Sequence, residues 1–303
     1  MSSIVFNIVL PVFALIGLGA WMEVRFQLDI RTLSKLSFHA FIPAVVLHML
    51  LTAEISGAEA GAILAFGLIH PLALLALCWP IFSIGRFRKA RRVMGLGAIA
   101  YNTGNYGLPL ALLAYGPSGM AAMAIVMVAQ CLLYFTVGIV LLQERGASWG
   151  STLGEFVRTP VIGAAALGFV LRALDCPLPV ALAKPVEFLS QALVGAALLT
   201  LGAQMASGGA AARTDRAIVA ATGAARLILS PLLALALLPL FGLSPLAART
   251  MILAAAMPVA VTVFLLAREY ERRPDLASRM VFWTTAASAA SLPAILYWMS
   301  VDL

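Results

Sequence analysis

The sequence predicts an all-α integral membrane protein of ten transmembrane helices in two inverted five-helix repeats, with spans 4 and 9 broken at mid-membrane. Three observations predict it. Of 303 residues 62% are hydrophobic and only 11% charged, where a soluble domain carries about 25% charge. The apolar runs are about 20 residues long, enough to cross a ~30 Å hydrocarbon core. They are continuous and rich in Ala and Leu, whereas barrel strands alternate over about 10 residues.

Apolar runs between charged or turn-rich breaks place the spans at 4–22, 33–52, 60–84, 93–114, 118–142, 157–173, 185–206, 217–241, 247–267 and 276–299. The first run lacks a basic leader and a small-residue cleavage site, so it reads as a retained helix. Basic residues test the count. With the N-terminus outside, the inward loops hold sixteen, including Arg25, Arg31, Lys35, the 86–92 cluster, Arg213, Arg216 and the group from Arg268 to Arg279. The outward loops hold three, Arg172, Lys184 and Arg249. That bias is what the positive-inside rule demands. It predicts a multi-pass protein of the cell inner membrane with both termini periplasmic. The 86–92 cluster reads as a topological anchor.

Ten spans divide into two sets of five, and an odd number per half inverts the second against the first. The expected organisation is a first repeat over 1–142, a short cytoplasmic linker over 143–159 and a second repeat over 160–303. Pro109 in span 4 and Pro258 in span 9 lie 149 residues apart. The same shift brings spans 2 and 3 close to spans 7 and 8. Residues 206–213 (ASGGAAAR) read as a flexible turn.

Span 4 carries the chemistry. Asn102, Thr103, Gly104, Asn105, Gly107 and Pro109 fall in its middle, with Asn102 about 14 Å deep at 1.5 Å per residue. Gly and Pro there are expected to unwind the helix. Unwound backbone is tolerated in a membrane only where it is buried in protein or lines a cavity. In span 9, Pro258 lies at a similar depth and Thr262 follows one turn later. Broken helices in matching places of two halves point to a transporter's binding site. Arg226 sits at mid-depth in span 8 and needs a partner. It either attracts an anionic substrate or caps carbonyls at the ends of the broken half-helices.

The runs YNTGNYGLPL, AMPVAVTVFLLAREY and TTAASAASLP resemble the auxin efflux carrier family, in its compact bacterial form similar to malonate or malate permeases. The resemblance implies a scaffold of spans 1, 2, 6 and 7 and a transport unit of spans 3–5 and 8–10. It also implies that the two broken helices cross beside an organic anion. Carried over residue by residue, it points to Asn102, Asn105, Pro109 and Pro258. The second crossover has no Asn beside Pro258.

All thirteen acidic residues lie in loops or at span ends. This argues against a cation antiporter built on buried carboxylates and disfavours sodium coupling. His48 and His70 read as packing residues, and Gln130 and Gln204 as interhelical hydrogen bonds. Ser288 has a minor claim on the cavity. Cys78, Cys131 and Cys176 show no paired spacing, so no metal, redox group or cofactor is expected. An intramembrane enzyme would need a nucleophile with a base, or a metal cluster, at depth. A channel would need charged rings or an oligomeric filter. The expected function is a secondary carrier of a small organic anion, a mono- or dicarboxylate, working by alternating access. Its partners are that anion and the lipid bilayer, with proton coupling and a homodimer as open alternatives and nucleic acid excluded.

Overall fold

A computed structural model describes residues 5–143, 159–208 and 216–302. The expected linker and the 206–213 turn fall largely outside them. Among the described residues the fold is helical throughout, apart from short connections and one isolated bridge. Seven helices are long and apolar enough to cross a membrane: α1 Phe6–Phe26, α2 Ile30–Thr52, α3 Gly57–Phe82, α5 Thr103–Leu142, α7 Val180–Ser207, α8 Arg216–Leu240 and α11 Pro274–Ser300. Shorter helices complete the set: α4 Arg91–Ile99, α6 Pro160–Ala173, α9 Pro245–Ala255 and α10 Val261–Glu269.

Three local features explain why seven long helices stand where ten spans were expected, the first being that span 6 forms only the 14-residue helix α6. Spans 4 and 9 are each interrupted, after Ile99 and after Ala255. Then α5 runs for 40 residues, about 60 Å at helical rise and twice the hydrocarbon thickness. It bends sharply at Gly116, whose φ of 69° and ψ of −164° suit a residue without Cβ. Pro117 follows and cannot continue the hydrogen-bond ladder. The bend separates the two segments read from the sequence as spans 4 and 5.

Helix starts follow ordinary capping chemistry. Asp29 accepts from the N–H groups of Arg31 and Thr32, Ser56 from that of Glu59, and Ser244 from that of Ala247. Prolines leave a second signature. Wide π-type turns at 5–9, 37–41, 103–107 and 225–229 are each followed two residues later by Pro11, Pro43, Pro109 or Pro231. A proline lacks the N–H and its ring crowds the carbonyl four residues back. Widening the turn relieves that crowding without ending the helix.

Packing sorts the helices into two sets. In one, α1 lies along α7 and α6 along α2. Gly19 and Gly202 bring the α1 and α7 backbones together: a Cβ on Gly202 would collide with the Ile16 carbonyl. In the other set α3 packs on α4 and α5, α9 on α5 and α8, and α10 on α11. The first set gathers spans 1, 2, 6 and 7 and the second the remaining spans. The broken segments belong to the second set and are sunk in it. Every residue from Val93 to Gly104 is buried, as is every residue from Met251 to Val261.

Candidate functional site: two helix breaks that cross

The two breaks meet. Residues 100–102 and 256–260 leave helical geometry and pair antiparallel, with Tyr101 opposite Val259. The Asn102 N–H donates to the Pro258 carbonyl and the Ala260 N–H to the Ala100 carbonyl, both at 2.9 Å.

Each backbone group left over needs a partner, because an unpaired amide in a dry interior costs several kcal/mol. Neighbouring helices supply them. The Tyr101 N–H donates to Gln130 Oε1 at 3.2 Å, and the Tyr101 carbonyl accepts from the Tyr134 hydroxyl at 3.1 Å. The Val259 N–H donates to Thr284 Oγ1 at 3.1 Å. So α5 serves the first break and α11 the second.

Arg226 serves both. It is fully buried in the wide turn of α8. Its Nη1 donates to the Ala98 carbonyl at the end of α4 at 2.8 Å. Its Nη2 and Nε donate to the Ala255 and Met257 carbonyls at the end of α9, at 2.5 and 3.1 Å. The Tyr101 ring lies 4.6 Å from the guanidinium carbon, a cation–π contact. Ser230 Oγ adds a bond to the Ala255 carbonyl at 2.7 Å, and His70 Nε2 lies 2.9 Å from the Ser230 carbonyl.

Four helix ends therefore converge. The C-termini of α4 and α9 carry negative dipole ends, and the guanidinium sits on both. The N-termini of α5 and α10 carry positive ends. Their N-cap positions, Asn102 and Ala260, give no side-chain cap. Once Arg226 has answered the carbonyl ends, the crossing keeps two uncapped helix N-termini, the arrangement that attracts an anion.

The remaining sequence-derived residues divide by environment. The Asn102 side chain is buried, and its Nδ2 has no acceptor. Asn105 is half-buried on the next turn. Thr103 donates to Met127 Sδ at 2.9 Å. Gly104 and Gly107 admit close contacts: a Cβ on either would press on Ile42 or on Met127 and Met123. Their role here is packing, in a turn that also meets the scaffold through Tyr106, edge-on to Phe13 at 6.3 Å. Thr262 is half-buried in the first turn of α10. Ser288 Oγ bonds the Tyr106 hydroxyl at 3.3 Å.

Pro109 requires a correction. The unwound stretch ends at Asn102, and Pro109 lies inside α5, past the wide turn that absorbs its missing N–H. Pro258 lies in its break. The two prolines are therefore not equivalent positions; the bridged pair, Tyr101 and Val259, is 158 residues apart.

A cavity of about 820 Å³ opens between the two helix sets, and its described lining includes no residue of the crossing itself, 100–102 or 256–260. Its walls include Arg31, Lys35, His39 and Gln204 from α2 and α7, and Val261, Arg268 and Glu269 from α10. Val261 is the first residue of α10, so the cavity reaches the chain just beyond the second break. The sequence reading assigned Arg31, Lys35 and Arg268 to topology alone. Their shared cavity depends on contacts between distant segments that no local pattern carries.

A buried crossing of broken helices beside a basic cavity is the architecture of a membrane carrier. The sequence matches the family described as membrane transport protein over residues 4–152 and 149–296, and the chain belongs to that family, the auxin efflux carriers it was seen to resemble. A "Putative malonate transporter" of Rhizobium meliloti (strain 1021) is 29% identical over 233 residues, 72% of this chain and 71% of the relative. An "Uncharacterized transporter" of Methanothermobacter thermautotrophicus is 24% identical over 290 residues, 94% of this chain and 95% of the relative.

Proposed function

We propose that this chain is a secondary carrier of a small organic anion, a mono- or dicarboxylate, working by alternating access. The observation that carries the reading is the charge balance of the crossing. Arg226 is committed to carbonyls, two helix N-termini stay uncapped, and the buried Asn102 amide still has donors to give. A carboxylate supplies acceptors for such donors. The cationic side chains of the cavity would raise the local concentration of an anion before it reaches them. A relative named for malonate, a dicarboxylate, fits this chemistry.

Asn102 and Asn105 bind the anion, with Thr103 and Thr262 beside them. Gly104, Gly107, Pro109 and Pro258 shape the backbone around it, and Arg226 positions the crossing rather than touching substrate. The chain crosses the inner membrane ten times in two inverted repeats, 1–142 and 160–303, joined by a cytoplasmic linker, with both termini periplasmic. The bend at Gly116 and the two interrupted spans support that count. Transport occurs as the second helix set shifts against the first, moving the crossing between the two faces.

Counterflow tests this. Proteoliposomes loaded with unlabelled malonate should accumulate labelled malonate transiently above equilibrium, and a panel of carboxylates should compete while amines and neutral sugars do not. Equilibration without overshoot would indicate a channel, and preference for a neutral or cationic solute would end the carboxylate reading.

A further inference from the structure

A second concavity has no part in this mechanism. It measures about 760 Å³ and is lined by Arg88, Lys89, Arg91, Arg92, Arg272 and Arg273, with Val93. Among the described residues that line it, six of seven are cationic and none is acidic. The residues come from two segments far apart in sequence, the connection from α3 into α4 and the connection from α10 to α11. The positive-inside rule accounts for cations in each loop. It does not account for their convergence on one pocket, which costs repulsion between like charges.

Two features fix the cluster. Arg92 Nη1 donates to the Gln143 carbonyl at 3.0 Å and Arg272 Nε to the Leu142 carbonyl at 3.1 Å, which ties both segments to the end of α5. Arg91 lies over the Trp79 ring at 5.6 Å. The charge placement also runs against the helix dipole. Arg91 and Arg92 occupy the first turn of α4, whose N-cap, Ala90, offers no side-chain acceptor, although that end of a helix favours anions. Arg273 is held at φ 50°, a left-handed conformation uncommon for a residue with a side chain. The acids of the same loop, Glu271 and Asp275, are not among the lining residues, and Glu269 lines the other cavity.

We infer that this pocket binds a phosphate-type oxyanion. Converging guanidinium groups suit phosphate oxygens through paired N–H donors. Two sources carry that chemistry: the headgroup of an anionic phospholipid, or free phosphate. Either would bridge the segments that precede α4 and α11 and lower the repulsion between them.

The test uses the full-length protein in a neutral detergent, melted with inorganic phosphate, short-chain phosphatidylglycerol or phosphatidylcholine at matched ionic strength. Arg88, Lys89 and Arg273 are exposed, so R88Q/K89Q/R273Q should melt like the wild type when no ligand is added. A saturating ligand at about a hundredfold excess should raise the wild-type midpoint by about 5 °C, and the triple variant should lose that rise. A rise with phosphatidylglycerol alone identifies a lipid headgroup; an equal rise with phosphate identifies the free ion. Arg25→Gln, in the last turn of α1, should keep the wild-type response, and single Arg88→Gln serves if the triple variant folds poorly. No rise with either ligand, or an undiminished rise in the variants, overturns the inference.

Discussion

The two breaks share a shape and differ in chemistry. The first runs into a wide turn with its own polar side chains, Asn102, Thr103 and Asn105. The second, Ala256 to Ala260, has no polar side chain of its own, and borrows Thr284, Ser230 and most of Arg226. A membrane helix can therefore be interrupted without local polar residues if neighbouring helices lend them. Under the proposed function, recognition falls to the first break and support to the second.

The largest expected effect strikes both breaks at once. Arg226→Met leaves the Ala98 and Met257 carbonyls, one from each half-helix, without this partner, and each buried acceptor orphaned in this way costs about 1–3 kcal/mol. The variant should melt far below wild type or fail to accumulate as a monodisperse species, as size-exclusion melting would register. Near-normal stability would remove Arg226 from its shared role.

Single-partner losses come next. Gln130→Leu orphans the Tyr101 N–H and Thr284→Val the Val259 N–H, each at about 1–3 kcal/mol. If the breaks are held alike, the two variants should lose stability to a similar degree. A cost confined to one would show that only one break depends on lent groups.

Transport should separate the breaks where stability does not. Asn102→Ala should cut carboxylate uptake at least tenfold, and Asn105→Ala severalfold, with normal insertion. Thr262→Ala should stay within about twofold. Loss in Thr262→Ala equal to that in Asn102→Ala would make the crossing symmetric in function.

The smallest effect lies far from the crossing. Bonds from the Thr32 hydroxyl and the Thr32 and Arg31 N–H groups hold the Asp29 carboxyl below the usual aspartate range. A depressed folded value means the stabilisation is present above about pH 4 and fades as pH falls through the folded value. Asp29→Asn should lower the melting midpoint slightly at pH 7 and make no difference in strong acid. The same decrement at both pH values would remove the charge from the explanation.

Much of this was legible in the sequence because hydropathy and charge act locally. The breaks and the need of Arg226 for partners follow from composition along single spans. Gln130 and Gln204 were read as interhelical hydrogen bonds, and they bond the Tyr101 N–H and Ser34 Oγ. What differed was the extent of the break: Gly and Pro were expected to unwind the chain as far as Pro109, but the unwound stretch ends at Asn102, since a proline's missing donor can be absorbed by a widened turn as well as by unwinding. Two things were out of reach: the capping by Tyr134 and Thr284, and the cavity shared by Arg31, Lys35 and Arg268. Both arise from contacts between residues far apart in the chain.

In the proposed function the Asn102 side chain holds the anion while Arg226 holds the crossing. Malonate titration of purified protein, wild type against Asn102→Ala, tests it most directly. Binding should weaken at least tenfold in the variant while its ligand-free melting midpoint stays unchanged. Equal affinity in the two proteins would contradict it.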